Sequence, residues 1–89
     1  MKGFDFMIKN YSLVDLMALT LAPIETVDDA NRYVQAVVEI SNRLHTFTLA
    51  YYDMTRHFLE YVEMYHNTKQ SIYMVKALHI MSLYAEENR

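Results

Sequence analysis

The 89-residue chain has no cysteine, no tryptophan, one glycine (Gly3) and one proline (Pro23). Without cysteine there is no disulfide, no thiolate nucleophile and no Cys-type zinc site. An extracellular domain this small would usually need such staples. An average chain of this length carries roughly six glycines and four or five prolines. Sheet proteins spend those residues on turns, so the composition argues against a β-rich fold. One glycine also cannot build a phosphate-cradling loop or a Gly-x-Ser-x-Gly elbow, and no His-Glu-x-x-His helix is present.

An excess of base is missing too. Eight Lys and Arg stand against eleven Asp and Glu, a net charge of −3. Binding to a phosphate backbone needs clustered basic residues, so no direct nucleic-acid partner is expected. A helix-turn-helix reader would want basic and amide residues opening its recognition helix. The last helical segment offers only Lys69, Gln70 and Lys76. Long apolar runs are likewise absent. Residues 16–24 and 44–52 are free of charge, but each run is nine residues long. Spanning a bilayer takes roughly twenty. The start carries Lys2, Asp5 and Lys9, unlike the apolar core of a signal peptide. These absences together predict a cytoplasmic protein with no membrane partner.

What the chain does have is apolar bulk: 53% hydrophobic residues, with eight Tyr, seven Met and four Phe. That is too apolar for disorder. The expected fold is all-α, a single helical domain over residues 1–89 with an N-terminal arm at 1–11 and a polar tail at 86–89. Three main helices are read, at about 13–21, 27–66 and 68–85.

The first helix has Ser12 as N-cap, Asp15 at N3, and Tyr11 with Leu16 as a hydrophobic staple. Pro23 stops it. The second opens on Thr26 with Asp28 and Asp29 in its first turn. From there to His66 no Gly or Pro occurs. Tyr33, Val37, Ile40, Leu44, Phe47, Tyr51, Met54, Phe58, Tyr61 and Tyr65 follow in alternating steps of four and three, an a/d seam. Asp28/Arg32, Glu39/Arg43 and Arg56/Glu60 are spaced to pair along the helix. Unbroken phase favours one continuous helix. Its weak point is residues 46–52, where Thr46, Phe47, Thr48, Tyr51 and Tyr52 are mediocre helix formers. The third helix follows the polar run His66–Ser71, with Asn67 and Gln70 spaced as a capping box. It is apolar nearly all round, and such a helix needs cover on several sides.

A helix over residues 27–66 would be about 60 Å long. A compact globule of this chain length is only about 30 Å across. Either the helix bends near residues 46–52, or the molecule is elongated and two helices thick. In the elongated case a second copy supplies the missing layer, giving a four-helix core in a homodimer.

Catalytic kits are thin. Glu63 and His66 match one Glu-x-x-His unit of di-iron bundles, which need two such units and two more carboxylates. Asp53, His57 and Glu60 share one helix face and could orient a general base or hold zinc with a third ligand. A solvated polar stripe explains them more simply. His45 and His79 stand singly. A small helical-bundle metal protein or enzyme built on Asp53, His57, Glu60, Glu63 and His66 is therefore the alternative, and a structural assembly subunit is another. No metal or other cofactor is expected. The leading expectation is a non-enzymatic module that binds a protein partner through a preformed helical surface, as a regulator or inhibitor. The partner-facing band is read as Arg32, Gln35, Glu39, Asn42 and Arg43, continuing to Asp53, Arg56, His57 and Glu60. No motif matches a known family. In general character the chain resembles small accessory proteins, including phage and mobile-element inhibitors, antitoxins, immunity proteins and secretion chaperones, a likeness that transfers no functional residue.

Overall fold

The computed structural model describes residues 8–87. The expected arm before Ile8 and the last two residues of the tail lie outside the described residues. Four α-helices follow one another: α1 (Leu13–Leu21), α2 (Val27–Arg43), α3 (Leu49–Thr68) and α4 (Ser71–Glu87). No strand occurs among the described residues, as the scarcity of glycine and proline implies. The chain divides into two compact units, Met1–Arg43 and Leu44–Arg89.

In the first unit α1 packs on α2. Ser12 caps α1 as expected, its hydroxyl accepting from the Asp15 amide at 3.2 Å. Ala22 is extended at ψ 148°, where the following Pro23 disfavours helical backbone, and α1 stops. Thr26 and Asp29 cap α2 reciprocally. The Asp29 amide donates to the Thr26 hydroxyl at 3.1 Å, while the Asp29 carboxylate accepts from the Thr26 and Glu25 amides, both at 3.1 Å. This satisfies donors that a helix start leaves free. Buried between the helices are Leu16, Met17, Thr20, Leu21, Ala36 and Ile40, with Ile8 beside them. Arg43 ties the end of α2 to the chain start, its guanidinium donating to the Lys9 carbonyl at 3.1 Å.

The continuous helix expected over residues 27–66 does not form, and the count of three main helices becomes four. α2 ends at Arg43, Leu44–Thr46 make a 3₁₀ turn, and α3 begins at Leu49. The break falls among the weak helix formers. Thr48 is extended at ψ 163°, and its hydroxyl accepts from the Tyr51 amide, so it acts as an N-cap. A threonine that can start a new helix competes with continuing the old one. Helix length therefore gives no reason for a second copy, because no helix of that length forms among the described residues.

In the second unit α3 and α4 are joined only by Lys69 and Gln70. The first helix runs two residues past its expected end and takes in Asn67, so the capping box read at Asn67 and Gln70 does not form and the last helix starts at Ser71 rather than near 68. Lys69 adopts φ 60°, and its amide returns to the Tyr65 carbonyl at 2.7 Å. The link is short enough to make the helices antiparallel. Tyr84 accordingly reaches Tyr51 and Thr55 at one level, and Lys76 reaches Tyr61 at another. Thr55, Phe58, Val62, Ala77, Ile80 and Tyr84 form the core.

Candidate functional site

The residues of the expected seam differ in burial. Ile40 and Phe58 are fully buried, and Tyr33, Val37, Leu44, Phe47, Tyr51 and Tyr65 are half-buried. In α3 the buried face is turned by about one position. Thr55 and Val62 take the central places expected for Met54 and Tyr61, which sit half-buried on the flank. The physical reason lies in Tyr84, which is 2% exposed. Its hydroxyl donates to the Tyr51 carbonyl at 2.8 Å and meets the Thr55 hydroxyl at 2.5 Å. A buried threonine is tolerated once its hydroxyl is paired. Burial raises the Tyr84 phenol above its ordinary pKa, and the Thr55 hydrogen bond partly offsets the rise.

The band expected to face a partner is two stripes on two helices, because the break separates them. On α2, Arg32 and Asn42 are exposed, whereas Gln35, Glu39 and Arg43 are half-buried. Arg43 is held by Glu39 at 2.9 Å and by the Lys9 carbonyl, so it serves the fold of its own unit. The Gln35 Oε1 is shielded from solvent without a hydrogen-bond partner among the described residues. Arg32 pairs with Asp29 at 3.1 Å rather than with the expected Asp28. Asp29 is already turned toward the helix start by its capping bonds, which leaves its second oxygen for the guanidinium. The Glu25 amide, the Thr26 groups and Arg32 together hold the Asp29 carboxyl below its ordinary pKa against partial desolvation, the Glu25 hydrogen bond contributing most.

On α3, Asp53, Arg56, His57 and Glu60 are all exposed. Arg56 and Glu60 pair at 3.3 Å, as their spacing predicts. Glu63 is exposed and His66 half-buried beside the Tyr65 ring. Among the described residues no three or more His, Asp or Glu side chains come together to hold a metal ion. The residues of the metal or enzyme alternative therefore lie along α3 without converging.

The feature that sequence reasoning missed is a groove along one face of the α3/α4 hairpin. One part, of about 520 Å³, is lined by Met54, His57, Tyr61, Val75, Lys76, His79 and Ile80. A second, of about 430 Å³, is lined by Ala50, Tyr51, Met54, Leu83 and Glu86. Met54 belongs to both, so they run together. Lys76 Nζ lies 5.6 Å from the centre of the Tyr61 ring, a cation–π distance. The sequence did carry a signal for this surface: α4 is apolar nearly all round, yet it can bury only one face on α3.

Large apolar side chains consequently remain open in both units. Ile72 is 51% and Val75 59% exposed on α4, and Val34 is 55% and Val38 51% exposed on α2. No described helix is long and apolar enough to cross a membrane. No protein-family model matches the chain, and no curated protein or solved structure is significantly similar to it.

Proposed function

We propose that this protein is a cytoplasmic, non-enzymatic protein-binding module, a small homodimeric regulator or inhibitor of a larger protein or complex, of the phage or mobile-element accessory type. The observation that carries the reading is the open apolar surface of preformed helices. Ile72, Val75, Leu78 and Leu83 stand exposed on α4, and Val34 and Val38 on α2. Binding by occlusion needs rigid area with apolar or aromatic anchors and a polar rim, and it needs no catalytic group. On α2 the two valines share a face with the exposed Asn31 and Asn42, which supply such a rim.

Affinity capture from the native host, followed by mass spectrometry, tests the reading. Wild-type bait should retain a host protein in stoichiometric amount. The Val34→Asp/Val38→Asp bait should lose it while keeping its helical circular dichroism, because both positions are already open to water. Recovery of nothing but the bait itself would sink the regulator reading.

A further inference from the structure

The α3/α4 groove has a polarity along its length. The part between Tyr61 and His79 is lined by Lys76 and two histidines and by no carboxylate. The part between Ala50 and Leu83 is lined by Glu86 and by no basic group. Lys76 forms no ion pair among the described residues, although Arg32, Arg43 and Arg56 all do. One end of the groove is therefore basic and the other acidic, with apolar walls between.

We infer that the groove is the homodimer interface, filled by the same face of a second copy lying antiparallel to the first. The inference rests on the homodimer half of the reading above. Two hairpins can stack face to face about a two-fold axis along the helices or one across them. An axis along the helices brings Lys76 level with Lys76 of the second copy, and like charges oppose each other. An axis across the helices brings the Lys76 end of each groove over the Glu86 end of the other. The surface is then self-complementary in charge, as an isologous contact requires. Its outward side chains match this arrangement. Ile72, Val75, His79, Leu83 and Glu86 follow at steps of three, four, four and three along α4, one continuous outward face. Stacking buries that face and gives a four-helix core, so α4 gains the cover its composition demands.

Analytical ultracentrifugation of the full chain tests this with charge reversals. At tens of micromolar, wild type should sediment as two 10.6 kDa chains. Lys76→Glu and Glu86→Lys should each weaken the dimer roughly tenfold or more, because symmetry turns two attractive pairs repulsive at once. An equimolar mixture of the two variants should recover the wild-type dimer, since each supplies the charge the other lacks. Val75→Asp, at a position that is open in the single chain, should abolish the dimer without loss of helix. A wild-type dimer indifferent to both reversals and to Val75→Asp overturns this interface while leaving the homodimer intact. A wild-type monomer overturns both. Dimers of the single reversals that fail to mix into a stronger one overturn the antiparallel arrangement.

Discussion

In the first unit the buried hydroxyl of Thr20 donates to the Met17 carbonyl three residues back in its own helix, at 2.7 Å. In the second, the Thr55 and Tyr84 hydroxyls meet across two helices, 29 residues apart in sequence. Apart from Thr20, the side chains fully buried in the first core are aliphatic or thioether, such as Leu16, Met17 and Ile40, whereas the second adds Phe58 and Tyr84. Tyr84 also stacks edge-on against Tyr51, with ring centres 5.1 Å apart. Aliphatic side chains of similar volume can repack with little loss, so the first core constrains helix pairing mainly by shape. A paired buried hydroxyl tolerates only one alignment of α3 on α4, because a slip leaves two polar groups without partners. The second unit therefore has the more sharply fixed register, and its outer groove inherits that precision.

The largest expected effects test whether the two cores are separate. Phe58→Ala should cost about 3–5 kcal/mol and Leu16→Ala about 2–5 kcal/mol in denaturant unfolding, since each side chain is fully buried. Hydrogen exchange should then show amide protection falling in Leu49–Glu87 for the first variant and in Leu13–Arg43 for the second. Equal loss of protection over both regions in either variant would dissolve the distinction between the units.

Tyr84→Phe comes next and addresses the register directly. Removing the hydroxyl leaves Thr55 unpaired in the core, so a cost of about 1–3 kcal/mol is expected. Adding Thr55→Val should give back part of that cost, and the pair should be clearly less than additive. High pH probes the same contact. The folded pKa of Tyr84 is raised, so the stability it contributes is full below about pH 10, the ordinary value for a tyrosine. It falls as pH rises through the folded pKa. Urea midpoints above pH 10 should drop more steeply for wild type than for Tyr84→Phe.

Much of this architecture was legible in the chain, and the exceptions share a physical cause. Ser12, Pro23 and Thr26 mark helix boundaries by local chemistry, and the structure puts the boundaries there. The break at residues 44–48 was legible only as the lesser alternative, a bend near residues 46–52, because the seam keeps its phase straight through it. Hydrophobic spacing reports which face is apolar and says nothing of whether the backbone between two stretches is helical. Thr48 was the local signal, read only as a weak helix former when it serves as a cap. Thr55 was unreadable for a different reason. A threonine looks polar in sequence, and the tyrosine that satisfies it comes from a distant helix. The outward face of α4 was visible as an excess of apolar residues, but the groove also needs Met54 and Tyr61 turned off the seam, which follows from the Thr55–Tyr84 contact.

Capping in the first unit gives a smaller effect. Thr26→Ala should cost about 1 kcal/mol by removing the acceptor for the Asp29 amide. The pH dependence has the opposite sign to that of Tyr84. The folded pKa of Asp29 is depressed, so its contribution is present above the ordinary carboxylate value near 3.8. It is lost as pH falls through the depressed value. Acid titration of the first unit by amide exchange should show this loss in wild type and not in Asp29→Asn.

The smallest effect returns to the scarcity of glycine. Where α3 ends, the backbone must turn left-handed at φ 60°, and the residue there is Lys69. Glycine is the usual occupant because a Cβ is strained in that region. The chain spends its one glycine at Gly3, and accepts the strain at the hairpin. Lys69→Gly should therefore raise the stability of the second unit by about 0.5–1 kcal/mol, the relief of strain exceeding the added freedom of the unfolded chain. The first unit should be unaffected. Loss of stability would mean that the lysine side chain holds the turn by contacts of its own. It would then be the side chain, rather than the two-residue link, that sets the antiparallel register on which the groove depends.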